Sequence, residues 1–229
     1  MAQTRRPADG SPGARQHDVV TVTGADARSY LHGQLTQNVA SLTPGEERWT
    51  LALAPNGKIE ALARLRCVDD ETFELETDAG FGAALEARLN RFKIRVAAEI
   101  AAQAREVDGD AAEAEAARVA AGWPAMGREI VPGETIPAET GITEAAVDFR
   151  KGCYPGQELV ERMASRGAAP PRSLRRVRVD SGAGAGDPIV DPASGDEVGT
   201  LTSVAGGWGL GYVRRGSTVG EPPSVPSSA

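Results

Sequence analysis

Cysteine is nearly absent from this 229-residue chain, which carries only Cys67 and Cys153. Two thiols are too few for a disulfide framework or a four-ligand metal site, so a reduced, cytoplasmic protein is the expectation. Histidine is equally scarce: His17 and His32 stand alone, and neither falls in a metal or triad pattern. Aromatic residues are only 4% of the chain, so the core must be built from Val, Leu, Ile and Ala. No run approaches the ~20 apolar residues of a membrane helix, and the N-terminus has no apolar signal region, so no membrane association or secretory signal is expected. Acidic residues exceed basic ones, 32 to 25, for a net charge of −7. That balance disfavours broad nucleic-acid binding.

Turn formers, by contrast, are plentiful. Twenty-seven glycines and 15 prolines argue against an all-helical bundle. Residues 1–17 are polar and aperiodic and read as a disordered leader. Val19 to Thr23 is β-branched and short, which predicts a strand, and Ala27, Tyr30, Leu31 and Leu35 lie on one face of a following helix. Trp49, Leu51 and Leu53 then alternate with small residues, and Asn56-Gly57 predicts a type I′ hairpin. Ile59 to Cys67 and Thr72 to Thr77 complete a three-stranded antiparallel meander. Phe81, Leu85, Leu89 and Phe92 mark an amphipathic helix, and Ile94 to Ile100 a strand. Residues 101–121 are rich in Ala and Glu and read as an exposed helix, with Ile142 to Val147 as one further helical turn. From Leu174 onward short strands alternate with Gly-rich turns, as in a small barrel or sandwich. The expected fold is therefore α+β over 18–167, a C-terminal β-barrel over 168–216, and a disordered tail over 217–229.

The run Val147 to Gly167 (VDFRKGCYPGQELVERMASRG) carries the chemistry. Pro155-Gly156 breaks the chain, and Gln157 to Ser165 has a helical apolar face of Leu159, Val160 and Met163. Cys153 thus precedes a helix N-terminus and follows Arg150 and Lys151. Unpaired helix N–H groups and nearby cations both favour a thiolate. The alternative is a small buried residue packing the helix start, and the residues alone leave both open. Cys67, among Leu62, Leu65 and Val68 on an apolar strand, reads as core packing. Gln157 and Glu158 suit the positive end of the helix, where negative charge is stabilised. Gln34, Thr36 and Asn38 end the first helix in a polar cluster suited to capping.

Lys151 to Glu158, Lys-Gly-Cys-Tyr-x-Gly-Gln-Glu, resembles the signature of the YgfZ family. That family is related to the glycine-cleavage T-protein and acts in iron–sulfur protein maturation. Ile136-Pro137-Ala138-Glu139 with Gly141, and Leu159 to Gly167, are similar to runs that flank the family's motif. Val22 to Asn38 resembles its N-terminal helix, Leu53 to Leu62 its hairpin, and Val198 to Ser203 with Gly209 to Val213 its barrel strands. The resemblance covers nearly the whole ordered chain. One departure is length: the middle of the chain is compressed into the Ala/Glu-rich stretch, where related T-proteins place part of their tetrahydrofolate pocket.

The resemblance implies an accessory protein of iron–sulfur cluster assembly or repair rather than an enzyme, with iron–sulfur client enzymes or cluster-assembly proteins as partners. Cys153 would be the working thiol and a transient iron ligand, and Lys151 and Arg162 would keep it charged. Tyr154, Gln157 and Glu158 would shape its pocket. Gln34, Thr36, Asn38 and Glu139 would line a central cavity able to take tetrahydrofolate. The competing readings are a tetrahydrofolate-dependent aminomethyltransferase and a degenerate folate-binding protein with neither activity. T-proteins carry paired aspartates where this chain reads Lys58-Ile59-Glu60-Ala61.

Overall fold

The structure, a computed structural model, describes residues 15–167 and 169–224. Strand β1 (Arg15–Thr23) leads into helix α1 (Ala27–Gln34), and β2 (Glu47–Leu53), β3 (Ile59–Cys67) and β4 (Thr72–Asp78) form the expected meander. Helix α2 (Gly82–Arg91) and strand β5 (Glu99–Val107) follow. The strands form one sheet in the order β2-β3-β4-β1-β5, with β1 antiparallel to both β4 and β5.

The sheet packs an apolar layer on one face, and on the other face only where β2 and β3 lie. One face buries Val20, Val22, Ala61, Ala63, Leu65 and Phe73 against Leu31 of α1 and Leu85 and Leu89 of α2. The other turns Leu51, Leu53, Ile59 and Leu62 toward residues 123–160. That stretch contains α4 (Pro137–Thr140), α5 (Thr143–Ala146) and the first turn of α6 (Gln157–Arg166).

Four sequence expectations are corrected here. The strand expected at Ile94 to Ile100 lies later, at Glu99–Val107, and the Ala/Glu helix shrinks to α3 (Ala111–Ala121). Alanines at 101, 102 and 104 suit helix and strand alike, and pairing along the whole of β1 selects strand. Asp110 then starts α3 by accepting hydrogen bonds from the N–H groups of Ala112 (2.7 Å) and Glu113 (3.3 Å). The β2–β3 connection is not type I′: Gly57 has φ +82°, but Asn56 is not left-handed. Of the expected leader, residues 15–17 belong to β1, and residues 1–14 lie outside the described residues.

The C-terminal unit has the strands read from sequence, β6 (Arg172–Arg178), β7 (Pro188–Val190), β8 (Glu197–Ala205) and β9 (Trp208–Arg214), all antiparallel in the order β6-β9-β8-β7. Part of the expected tail is packed: Glu221 bridges Arg176, and Pro223 sits beneath Gly122 and Gly141. Residues 225–229 lie outside the described residues. Helix α3 carries this unit through Val119, which packs on Leu174, Leu210 and Tyr212.

Buried Glu129 completes the junction. Its carboxylate accepts from Arg118 (2.8 Å), the Ala125 N–H (2.9 Å), Thr202 (2.6 Å) and Ser203 (2.7 Å). Four donors offset the desolvation of a carboxylate that is only 1% exposed.

Two glycines bring the β2–β3 loop against the start of α6. Both have positive φ, and a Cβ at Gly156 would stand 2.5 Å from the Ala54 carbonyl oxygen and 2.9 Å from the Gly57 Cα. Gly156→Ala is therefore expected to destabilise the fold by about 2 kcal/mol or more. Gly80→Ala, at an equally positive φ but with open space around it, should cost about 1 kcal/mol. Denaturant unfolding of the two variants checks the difference.

Candidate functional site

The cysteine motif is held by the C-terminal end of α1. Helix α1 ends at Gln34, leaving its last carbonyls without intrahelical partners. The Lys151 ammonium reaches back to them, donating to the carbonyls of His32 and Leu35, the latter at 2.6 Å. A cation at a helix C-terminus is favoured by the aligned peptide dipoles.

Thr36 forms the next tie and is fully buried. Its hydroxyl donates to the Ala146 carbonyl (2.6 Å) across 110 residues of chain and accepts from the Leu51 N–H (2.8 Å). Its carbonyl accepts from the Asp148 N–H at 3.0 Å. Gln37 adds a bond to the Ala145 carbonyl at 3.3 Å. Residues 145–151 are thereby clamped along residues 32–37.

On the far side of Cys153 the chain is anchored again. The Tyr154 ring is buried with Leu53, Ile59, Val147 and Val160 and lies 4.8 Å from the Lys151 ammonium. Burial pushes the Tyr154 hydroxyl up to about 12. Gln157 accepts from the Tyr154 N–H at 3.3 Å and donates to Glu161, which ties the first turn of α6. Cys153 itself is exposed, between these two anchors. The structure thus removes the buried-packing alternative for Cys153. For Cys67 it supports core packing: the thiol is buried on β3 and donates to the Asp69 carbonyl at 3.2 Å.

The remaining predicted site residues have separate surroundings. Gln34 accepts from Arg88 at 3.0 Å; Arg88 is a buried cation that also donates to the Leu53 carbonyl and pairs with Glu60 at 2.5 Å. Asn38 accepts from Arg48 through its carbonyl, and its Oδ1 is buried with no partner among the described residues. Buried Glu139 pairs with Arg172 at 3.3 Å, joining α4 to β6. Glu158 and Arg162 are exposed on α6. Among the described residues no three His, Cys, Asp or Glu side chains gather as a metal site.

Sequence reasoning missed a cavity of about 530 Å³ between the sheet and α3. Its walls include Trp49, Trp123, Arg15, Asp78, Glu115 and Arg118, and none of the predicted site residues lines it. The two indoles pack with centroids 4.7 Å apart at 46°. The available signal was two of the chain's three tryptophans, but they lie on separate elements that only the tertiary fold brings together.

Two expected outcomes follow from this geometry. Under limiting iodoacetamide at neutral pH, peptide mapping should find Cys153 alkylated in the native protein and Cys67 only after unfolding. Lys151 supplies the second. Burial holds its ammonium down at about 8, opposed by Asp148 and then Cys153, against 10.5 for an ordinary lysine. Between those values the unfolded chain binds more protons than the folded one, so stability rises with pH over that window. Lys151→Met should abolish this rise, read as the difference between the two proteins in chemical denaturation at pH 7.5, 9 and 10.

A protein-family model described as "CAF17, C-terminal beta-barrel domain" matches residues 172–225, the unit built from β6 to β9. An uncharacterized protein of Haemophilus influenzae is 29% identical over 191 aligned residues, covering 67% of this chain and 68% of that protein. Among solved structures, the glycine cleavage system aminomethyltransferase T from Bartonella henselae superposes with a TM-score of 0.72. It is 17% identical, with 89% of this chain and 79% of that one covered, so the likeness is one of fold. The C-terminal unit is thus similar to the CAF17 barrel domain, and the chain as a whole shares the T-protein fold.

Proposed function

We propose that this protein is an accessory factor in the assembly or repair of iron–sulfur clusters in client enzymes, with Cys153 as its working thiol. The observation that carries this reading is the contrast at Cys153. Lys151, Tyr154 and Gly156 are all fastened to the body of the protein, while the thiol between them is exposed. A fixed, accessible thiolate can donate a lone pair to iron and displace another ligand from it without any change of oxidation state. A single protein thiolate suits a cluster in transit, because clusters that stay are held by four ligands.

The T-protein-like fold and the YgfZ/CAF17 family are associated with folate. The cavity beside α3 has residues that suit such a ligand. Its volume lies within the usual range for small-molecule sites. Trp49 and Trp123 offer indole surface to a flat ring, and the buried Nε of Arg15 has no partner among the described residues, which suits an anionic tail. Tetrahydrofolate bound there would supply a one-carbon carrier, with Trp123 and Arg15 holding it. Aminomethyl transfer is the weaker reading. Glu60, the acid nearest the position of the T-protein aspartates, is held by Arg88 and by Arg91 at 3.2 Å.

In cells lacking the protein, Cys153→Ala should fail to restore iron–sulfur enzyme activities, whereas Cys67→Ala should restore them in proportion to its folded amount. Full complementation by Cys153→Ala would falsify the thiol role. For the ligand, tetrahydrofolate titrated under anaerobic conditions should quench tryptophan fluorescence, and Trp123→Ala should weaken binding about tenfold. An unchanged affinity would remove the ligand from this cavity.

A further inference from the structure

The C-terminal sheet has two ends that do not pair. In the order β6-β9-β8-β7, strands β6 and β7 are the outer two. Pro188 opens β7 and Pro192 follows it, and proline brings no N–H to a ladder, so this edge is poorly suited to taking another strand. Residues of both end strands line a second cavity, of about 390 Å³, within the usual range for small-molecule sites.

Its lining is sorted by chemistry, because successive residues of a strand point to opposite faces and both faces of β6 contribute. Val177 and Val179 share the apolar side with Ile189, Leu201 and Val219. Arg176 and Arg178 share the other with Trp208, their guanidinium carbons 5.1 and 3.7 Å from its ring centroid. The charged residues of the lining are these two arginines and Glu221. Arg176 holds Glu221 at 2.6 Å, while Arg178 is exposed and has no carboxylate partner among the described residues. One positive charge on this wall is therefore uncompensated. The Arg176 Nε is buried and also meets no acceptor among the described residues, so the wall is short of acceptors as well as of negative charge.

We propose that the gap between β6 and β7 is a second binding site, for a small organic acid. Its single carboxylate would lie on the Arg178 guanidinium and its apolar body against Val177, Ile189 and Leu201. One uncompensated charge fits a monocarboxylate, and an aliphatic side opposite it fits a hydrocarbon body. Arginine suits the head group because its planar fork can give a carboxylate two parallel hydrogen bonds, and stacking on Trp208 holds that fork in place. The site is separate from the Cys153 loop and from the cavity beside α3, and it stands or falls independently of the function proposed above.

Phenylbutyrate is the probe, with phenylbutyramide as a neutral counterpart of the same shape. In ¹H–¹⁵N spectra of the whole chain, with the Trp208 indole assigned through Trp208→Phe, the acid at millimolar concentration should shift the Trp208 resonance and leave those of Trp49 and Trp123 in place. It should bind about tenfold more tightly than the amide, a comparison that needs no variant. Arg178→Gln should melt with the unaltered protein and lose the preference for the acid. Val190 is 46% exposed and lines the gap, so Val190→Trp should fill it and weaken acid and amide alike. The proposal is overturned if neither probe shifts Trp208, if the shifts fall on Trp49 or Trp123, or if acid and amide bind equally. It is overturned as well if Arg178→Gln keeps the preference, or if Val190→Trp binds the acid as tightly as the unaltered protein does.

Discussion

The clamp between the end of α1 and residues 145–151 is the constraint on which the cysteine site depends. A helix C-terminus presents carbonyls that need donors, and here the donor comes from more than 100 residues away: the Lys151–Leu35 bond spans 116. Lys151 is nine-tenths buried for this purpose. An ammonium removed from water is costly unless its protons are bonded, and two carbonyls and the Tyr154 ring face it. The same ties fix β2, since the Thr36 hydroxyl accepts from Leu51. One polar seam therefore sets the helix end, the first strand of the meander and the height of the cysteine loop together.

Glu129 plays the corresponding part for the barrel. Apolar contact through Val119 alone would let the small sheet slide on α3. A buried carboxylate with four donors defines one arrangement, because any shift would leave charge and hydroxyls unpaired. Arg118 links this junction to the cavity. It lines the cavity beside Trp123, pairs with Glu115 and Glu129, and donates to Ser203 on β8. Helix α3 is thus a shared wall: it closes the cavity on one side and carries the C-terminal sheet on the other.

Much of this architecture was legible in the sequence, for reasons that differ by element. The meander, α6 and the barrel strands announced themselves through period, β-branching and turn residues, and Gly156 and Gly167 bound α6 at left-handed positions. Strand β5 was hidden because alanine has no strong side preference, and only pairing with β1 decides its state. The role of Lys151 was legible in part. Its place beside the cysteine was visible, but its burial was not, since the carbonyls it serves lie far back in the chain. Gln34, in the polar cluster that ends α1, and Glu139 were singled out through the family resemblance as cavity residues, and each meets a charged partner, Arg88 and Arg172 respectively. The cavity was invisible because Trp49 and Trp123 belong to no common motif.

The separation of thiol and cavity bears on what kind of chemistry the molecule can perform. A resident nucleophile gains from a closed pocket, where water is excluded and preorganised dipoles act at full strength. Cys153 stands outside any such enclosure, and the cavity lined by Trp49 and Trp123 contains no cysteine. An exposed thiol on an immobilised loop is instead suited to a second macromolecule, because a cluster carried by a protein can approach only a ligand that projects from the surface. The anchoring then has a purpose beyond stability. In the role proposed for it, with Lys151 and Tyr154 held on either side, little loop entropy would remain to be lost on binding, and a single ligand would compete briefly for iron without retaining it.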